Sequence, residues 1–437
     1  MKTLIQHGWI LTMNEQMDEY RDGYVLIEDE IITYAGDSCP DVTADEIVDA
    51  KGNIVIPGMI NLHAHMSMIP FRSLGDDCPD RLRRFLFPLE NACMNETLTY
   101  HGAAYAAAEM ISAGITTVVD MYYFMDEVAN ACVTSGLRGF LGETIISQPT
   151  CDSEESYGGL DLGKAFIQKW KQHPLIHPML APHATNTNEG HIFQEAMAFV
   201  KKEGCMMTTH AAEMDYEMDY FKETYQKSPI AWLDDLGCLN EHMLLAHCIH
   251  VSSQDMELMG KRDVRVAHCI GSNMKAGKGI APVKDMMERG IVVGLGSDGA
   301  SSGNTLDLFT QMRMFAGAQK TKYHDRSLFP ARSIVKLATI EGAKALHMEQ
   351  QIGSIETGKL ADLTIVDCNS MHMFPIYDPY SALVYSANAS DVTDVWINGK
   401  RVLCQKCYHM DVSALRENLQ SQMQEFIRIA NEKAKEL

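Results

Sequence analysis

His63 and His65 are the first residues in the chain whose type and spacing suggest chemistry. They are separated by Ala64 and follow the apolar run IVIPGMIN. Alternate residues of a β-strand point to one face, so this spacing would bring two imidazoles to one metal ion. An isolated pair of this kind is weak evidence, because surface and packed histidines show the same spacing. The prediction depends on further ligands elsewhere in the chain.

Two further candidate ligands for such a metal ion stand at the ends of later apolar runs. His210 in TTHAAE would supply a third nitrogen, and Asp298 in GLGSDG would supply an oxygen. Three nitrogens, one carboxylate and an open position for water are typical of a catalytic site, whereas structural zinc sites are more often closed and rich in thiolates. The sequence therefore predicts one catalytic metal ion.

Other ionisable residues occupy similar positions. Glu213 lies three residues after His210 and could reach a substrate without binding metal, or it could be a solvated loop acid. His247 could act beside the metal or be a core histidine bonded to backbone. For His268 we give equal weight to a chemical role and to a packing role.

The elements that must position these residues are apolar runs that alternate with helical stretches. Helical candidates include 96–114, 191–204 and 330–346. This alternation of strand-like runs and helical stretches predicts a (β/α)8 TIM-type barrel, whose active site lies at the carboxyl ends of its strands. The eight runs are residues 54–65, 114–121, 137–144, 175–183, 205–213, 242–250, 264–270 and 291–299.

The two ends of the chain share a different sequence pattern. Before residue 56 there are short segments in which apolar and polar residues alternate, as in β-strands. Segments 361–367 and 392–403 show the same pattern, and the second contains a hairpin signal at Asn398-Gly399. We expect both termini to form one composite β-sandwich domain. The predicted division is 1–56 for its first part, 57–350 for the barrel, and 351–437 for its second part with a C-terminal amphipathic helix.

Composition excludes several classes of function. The chain has 437 residues, 37 basic and 58 acidic, giving a net charge of −21. This charge repels phosphate backbones and anionic lipid, so we expect neither nucleic acid nor membrane as a partner. The twelve scattered cysteines indicate buried thiols of a reducing compartment, and a cytoplasmic location is expected. A homo-oligomer is compatible with the sequence.

Seven segments of the chain carry a family pattern when taken in order. They are PGMINLHAH, APHA, TTHAAE, LLAHCIH, VAHCIGSNMKAGKGIAPV, GLGSDGASSGNTLDLFTQMR and IGSIETGKLADLTIVD. Together they resemble the amidohydrolase superfamily, and within it the S-adenosylhomocysteine/5′-methylthioadenosine deaminase and triazine chlorohydrolase group. The resemblance covers nearly the whole chain. It implies a distorted barrel, one zinc or iron ion, and hydrolytic removal of an amino group or halide from a nitrogen heterocycle.

The resemblance also implies individual roles. Glu213 matches the acid that protonates a ring nitrogen, and His247 matches the histidine beside the metal-bound water. His183 resembles a substrate-contacting histidine, and Glu90 resembles the acid that holds ribose hydroxyls. The residues that match the metal ligands are His63, His65, His210 and Asp298.

Several positions depart from the family pattern. They are ATNTNEG at 184–190, Ile270, and Ser301-Ser302-Gly303-Asn304. We expect these positions to line the mouth of the site, where they bear on the substrate. The end of the fourth strand, MLAPHATN, offers no lysine to bridge two metals, which favours a single divalent ion, Zn²⁺ or alternatively Fe²⁺.

The favoured function is hydrolytic deamination of an adenosine-like nucleoside of the 5′-methylthioadenosine/S-adenosylhomocysteine type. In this hypothesis Asp298 takes the proton of a metal-activated water, His247 orients that water, and Glu213 protonates the ring nitrogen. Ammonia then leaves. The alternatives are an aminohydrolase of a free base, pterin or triazine, a chlorohydrolase, and an inactive metal-binding scaffold.

Overall fold

A computed structural model describes residues 1–434, and its strands form two sheets. One sheet has eight parallel strands in sequential order from β6 to β13. The strands are β1 Lys2–Leu11, β2 Glu19–Glu28, β3 Ile31–Gly36, β4 Glu46–Asp49, β5 Ile54–Pro57, β6 Met59–Ala64, β7 Ile115–Tyr122, β8 Arg138–Ile145, β9 Ile176–Pro182, β10 Met207–Ala211, β11 Met243–His247, β12 Arg265–His268, β13 Val292–Leu295, β14 Leu363–Val366, β15 Val392–Ile397, β16 Lys400–Cys404 and β17 Cys407–Tyr408.

Helices separate most of the strands of the eight-stranded sheet. They are α1 Phe87–Cys93, α2 Glu96–Ser112, α3 Met125–Ser135, α4 Gly159–Trp170, α5 Gly190–Glu203, α6 Asp215–Tyr225, α7 Pro229–Asp235, α8 Ser253–Lys261, α9 Ile270–Lys275, α10 Val283–Met287, α11 Leu308–Tyr323, α12 Ala331–Leu337, α13 Ile340–Ala345, α14 Pro379–Tyr385, α15 Val412–Gln422 and α16 Gln424–Ala434. Short 3₁₀ turns lie at Met66–Phe71, Met371–Met373 and Ala389–Asp391, and a π-helical turn at Leu82–Leu86.

The eight-stranded sheet is the predicted barrel. Six of its eight strands, including β7 and β8, are buried along their whole length, because parallel sheets of this kind are covered on both faces. Strands β9 and β13 each have one half-buried residue. Its first and last strands approach each other at their carboxyl ends, where the Asp298 amide donates a 2.9 Å hydrogen bond to the His63 carbonyl. The barrel is therefore almost closed, and the predicted fold class is confirmed.

The second sheet has nine strands and joins both ends of the chain. Strand β14 pairs antiparallel with β5, which pairs parallel with β1. Its apolar core includes Ile10, Leu363 and Trp396, and burying each such side chain contributes about 1.5–3 kcal/mol. The predicted hairpin is present: Asn398 and Gly399 both have positive φ, as a type I′ turn requires.

The structure differs from the sequence prediction in three elements. The run 54–65 forms two strands, β5 and β6, that separate at Gly58, where a Cβ atom would lie 2.2 Å from the Thr116 side chain. The stretch 330–346 forms two helices, because the Ala338 carbonyl turns to accept from the Ile60 amide. The C-terminal helix is divided into α15 and α16, and residues 435–437 of that prediction lie outside the described residues.

The chain divides into two compact units. The first comprises Met1–Asn61, Ala108–Val118 and Asp307–His409, and it contains the nine-stranded sheet. The second comprises Leu62–Ala107, Val119–Leu306 and Met410–Leu437. All eight predicted site residues belong to the second unit. The predicted domain boundaries at residues 56 and 350 stay a prediction.

The cysteines form no disulfide. All twelve are free thiols, but Cys39, Cys404 and Cys407 are exposed, which differs from the expectation of buried thiols. These three lie on surface segments outside the apolar core.

Among the described residues, no helix combines the length and the apolar character that crossing a membrane requires.

Candidate active site

The predicted site residues lie together at the carboxyl ends of the barrel strands. Seven of the eight line one cavity of about 530 Å³. The eighth, His63, is fully buried, with its Nε2 atom 3.1 Å from Nε2 of His210. Glu90 reaches the cavity from helix α1, and the other lining residues are His65, His183, His210, Glu213, His247 and Asp298.

Hydrogen bonds fix the tautomers of two imidazoles. Nδ1 of His65 donates to the Met121 carbonyl at 2.8 Å, and Nδ1 of His210 donates to the His183 carbonyl at 2.5 Å. In its neutral form each ring therefore presents the lone pair of Nε2 to the interior. Ligand atoms of His63, His65 and His210 lie within 4.8 Å of one another. Such facing lone pairs fit a cation that all three can bind.

The carboxylate of Asp298 completes this cluster. Its Oδ1 atom lies 3.3 Å from Nε2 of His65 and 3.8 Å from Nε2 of His63, and it accepts from the Gly299 amide at 2.7 Å. Burial lowers the pKa of His65, but Asp298 outweighs burial and raises that pKa to about 9. The position between these groups favours positive charge. Three imidazoles and a carboxylate fit one divalent ion of the zinc type.

A second candidate ligand set shares His63. His247 and Cys269 also place a ligand atom within 4.8 Å of it. Burial raises the pKa of the Cys269 thiol well above its usual value, however, and a protonated thiol is a poor ligand. The three-histidine set with Asp298 is therefore the better metal site.

Three residues at the strand ends that carry the site have a strained backbone. Ala212, His247 and Asp298 all have left-handed φ values, of 50°, 70° and 59°. Each costs of order 1–3 kcal/mol in a residue with a side chain, and such strain persists where the surroundings enforce it. Ala212 follows β10, His247 ends β11 and Asp298 follows β13, and these strands deliver the site residues.

Glu213 is part of a buried chain of charged and polar groups. Its Oε1 atom lies 2.5 Å from Nζ of Lys278 and 3.4 Å from Nε2 of His247. Nδ1 of His247 in turn donates to Oδ1 of Asn273 at 2.8 Å. Burial would raise the pKa of Glu213, but the charges of His247 and Lys278 lower it below its usual range. The solvated-loop alternative for Glu213 is therefore not what the structure shows.

The main chain at Glu213 is anchored by a second carboxylate. Glu217, in the first turn of α6, accepts from the amides of Ala212 and Glu213, each at 2.8 Å. It also accepts from the Thr185 hydroxyl at 2.5 Å. This buried anchor fixes the direction in which the Glu213 side chain leaves the backbone.

Glu90 and His183 lie on the wall of the cavity. Burial raises the pKa of the Glu90 carboxyl to about 7, against the opposing influence of Tyr122 and His65. Burial lowers the pKa of His183 to about 4, so its ring is neutral near pH 7, and its Nδ1 atom lies 3.2 Å from the Thr187 hydroxyl. Both side chains are available to a ligand that enters the cavity.

The departures from the family pattern contribute unequally to the cavity. Ala184, Asn186 and Thr187 line it, as do Ser301 and Ser302. Ile270 is buried and lies outside the described lining, so its expected place at the mouth is wrong. His268 is also buried and is not among the residues that line the cavity. Burial lowers the pKa of its imidazole to about 3.

Sequence reasoning missed three residues of the site. Asn273 orients His247, Lys278 pairs with Glu213, and Glu217 anchors the backbone. Asn273 and Lys278 both lie in the quoted segment VAHCIGSNMKAGKGIAPV, which was the one available signal for them. Spacing could not assign their partners, because those partners, His247 and Glu213, lie on segments distant in sequence.

Comparison with known proteins agrees with this architecture. The chain is 36% identical over 405 residues to a 5-methylthioadenosine/S-adenosylhomocysteine deaminase of Syntrophobacter fumaroxidans, covering 92% of each chain. It is 36% identical over 433 residues to a 5′-deoxyadenosine deaminase of Methanosarcina barkeri, covering 98% of this chain and 99% of the relative.

Solved structures give the same result. An adenosine deaminase from Xanthomonas campestris with bound zinc superposes with a TM-score of 0.94, at 29% identity and 98% coverage of both chains. An atrazine chlorohydrolase from Arthrobacter aurescens, at 20% identity, shares the fold with a TM-score of 0.90, covering 96% of this chain and all of that one. The amidohydrolase family model matches residues 54–402. The chain therefore belongs to the amidohydrolase family.

Proposed function

We propose that this protein is a metal-dependent hydrolytic deaminase of adenosine-like nucleosides. The observation that carries the proposal is the shared cavity: a histidine-rich cation site lies beside an ionised, half-buried Glu213. A metal site supplies a nucleophile, and a carboxylate beside it can move protons. The curated relatives described above, named as nucleoside deaminases, support the same class of substrate.

Four residues would hold the metal ion. They are His63, His65, His210 and Asp298, whose donor atoms converge as described. A single zinc-type ion bound there would lower the pKa of water toward 7 and so supply a nucleophile at neutral pH. We favour zinc, as in the Xanthomonas relative's structure, with iron as the alternative.

The side chains around this position would move the protons. Water adds to the ring carbon that bears the amino group. One water proton passes to Glu213 and then to the adjacent ring nitrogen, while Asp298 takes the second and delivers it to the leaving amine. His247, held by Asn273, orients the attacking water. Ammonia leaves, and the ring carbon becomes a carbonyl.

The wall residues would recognise the sugar. Glu90 can accept hydrogen bonds from two vicinal hydroxyls, and His183 can contact the ribose or the purine. Both line the cavity within the same unit as the metal site. A site built to bind hydroxyls penalises analogues that lack them, because its buried polar groups are then unpaired.

The test is ammonia release by the metal-loaded protein across a substrate panel. The panel contains 5′-methylthioadenosine, 5′-deoxyadenosine, S-adenosylhomocysteine, adenosine, 2′-deoxyadenosine, adenine, guanine, a pterin and a triazine. We expect the 5′-modified adenosines to have the highest kcat/KM and to yield inosine-type products. Faster turnover of free bases than of every nucleoside would overturn the substrate assignment but keep the chemistry. No ammonia from any compound would favour the inactive scaffold.

A further inference from the structure

Lys278 lies inside the cavity and contacts the residue proposed to move the proton. Its side chain is only 14% exposed, and its ammonium group lies 2.5 Å from Oε1 of Glu213. His247 approaches the same oxygen at 3.4 Å. One carboxylate oxygen thus faces two nitrogen groups. A cation so placed determines both where that carboxylate points and how readily it accepts a proton.

The position of Lys278 is coupled to that of His247. The backbone amide of Lys278 donates to the Asn273 carbonyl at 2.9 Å, while the Asn273 side chain accepts from His247. Gly277 and Gly279 flank Lys278 with φ values of 64° and 119°, which allow the tight loop that turns this lysine inward. Asn273 therefore holds both neighbours of Glu213.

The electrostatic balance keeps this pair ionised. Burial alone would lower the pKa of Lys278, but Glu213 and then Asp298 raise it above its usual value. Removing one partner of a buried ion pair leaves the other charge without compensation. The titratable groups that interact with the Glu213 carboxylate are His183, His210, Tyr216, Glu217, His247, Cys269 and Lys278.

We propose that Lys278 is a positioning residue for proton transfer: its ammonium group fixes Oε1 of Glu213 and keeps the carboxylate ionised for the attacking water. The proton moves from the water oxygen to Glu213 and then to the ring nitrogen, and Lys278 keeps its own protons throughout. This inference rests on the proposed deaminase function.

Kinetics of three variants test it. Lys278→Met removes the charge at similar length, Lys278→Arg keeps it, and Lys284→Met is a control six residues away. Lys284 lies outside the described lining and pairs with Glu288 at 3.5 Å. With adenosine as substrate, we expect Lys278→Met to lower kcat by about 10- to 100-fold with little change in KM, as loss of positioning does. Lys278→Arg should recover most of kcat, and Lys284→Met should match the wild type.

The pH profile and a double-mutant cycle separate positioning from a structural effect. Without the lysine, one of the charges that lower the pKa of Glu213 is lost and that pKa rises. The fall of kcat with decreasing pH should therefore begin at a higher pH in Lys278→Met than in the wild type. Adding Lys278→Met to Glu213→Gln should cause no further loss. Metal content should be equal in all variants. An unchanged kcat in Lys278→Met, or a full additional loss in the double variant, would overturn the proposal.

A measurement without turnover keeps the two proposals distinguishable. In zinc-loaded protein labelled with ¹³C-carboxyl glutamate, the NMR signal that Glu213→Gln removes reports this carboxyl. We expect this carboxyl to titrate at a clearly higher pH in Lys278→Met than in the wild type, because the variant lacks the cation that stabilises the ionised form. Identical titration in both proteins would reject the role of Lys278. If the wild type releases no ammonia but the signals differ as expected, the deaminase proposal fails and the Lys278–Glu213 coupling stands.

Discussion

The floor of the cavity is made of strand ends, whereas its rim is made of loops. The floor is His63, His65, His210, His247 and Asp298. Three of its four imidazoles have Nδ1 bonded to a fixed oxygen: a carbonyl for His65 and His210, and an amide side chain for His247. Since those oxygens belong to the barrel and its immediate loops, the floor can hold donor atoms in fixed geometry without a ligand.

The rim is formed by segments 72–86, 184–190 and 301–304, and the first and the last of these are joined largely by side-chain contacts. The Asp76 carboxylate accepts hydrogen bonds from Nζ of Lys275 at 2.8 Å and from Nδ2 of Asn304 at 3.0 Å. The Arg81 guanidinium lies 3.3 Å from Oδ1 of the same carboxylate. Arg81 and Lys275 both donate to the Ser301 carbonyl. Partly exposed ion pairs of this kind contribute only about 0–1 kcal/mol each. These two segments of the rim can therefore change with little loss of stability.

This contrast assigns the two parts of an enzyme's task to different regions. The floor carries groups that any hydrolytic attack on an electron-poor carbon would need. In the proposed function, the rim and the wall, with Glu90 and His183, would decide which molecule reaches the floor. Changes to the floor should therefore reduce turnover of every substrate, and changes to the wall should alter the ranking of substrates.

The largest effect is expected from the floor. The double variant His63→Ala, His65→Ala should lose tight metal binding and lower kcat/KM at least ~10³-fold, because Lewis-acid stabilisation is worth several kcal/mol. Elemental analysis and ammonia release measure the two effects. Full activity of this variant after chelation would remove the metal from the account.

The next effect separates proton transfer from metal binding. Glu213→Gln should retain the metal yet lose about 10²–10⁴-fold in kcat, as expected for a positioned acid–base group. His247→Asn should also bind metal and turn over slowly. If Glu213→Gln instead lost metal without a defect in chemistry, Glu213 would have to be reassigned to the metal site.

The wall should show a smaller and selective effect. Glu90→Ala leaves the ribose hydroxyls without a partner, so we expect kcat/KM for adenosine to fall about 5- to 150-fold, the equivalent of 1–3 kcal/mol. The value for 2′-deoxyadenosine should fall less. Equal losses for both nucleosides would show that Glu90 does not recognise the sugar.

The smallest effect is a pH dependence of this selectivity. Because the pKa of Glu90 is raised to about 7, the carboxyl becomes protonated as pH falls through that value and accepts hydrogen bonds less well. The preference for adenosine over 2′-deoxyadenosine should therefore be greatest above pH 7 and decline below it by a few-fold. A pH series of both kcat/KM values for the wild type and Glu90→Gln checks this, since Glu90→Gln should show no such trend.

The same contrast explains what could be predicted from the sequence. The barrel strands and the floor histidines were predictable, because apolar runs mark strands and the chemistry sits where runs end. Asn273, Lys278 and Glu217 were not, because their roles depend on contacts between segments distant in sequence or on the conformation of one loop. The separation of β5 from β6 was also missed, since continuous apolar character conceals a close approach at Gly58. The cytoplasmic location stays a prediction.

The central claim is that one metal ion held by the floor drives deamination of a nucleoside. The most direct measurement is metal titration of chelated protein, following ammonia release from 5′-methylthioadenosine with Zn²⁺ and, separately, with Fe²⁺. We predict negligible release from chelated protein and a linear rise that ends at about one equivalent per chain, as a single open site implies. Full activity after chelation, or a rise that continues to two equivalents, would contradict the account.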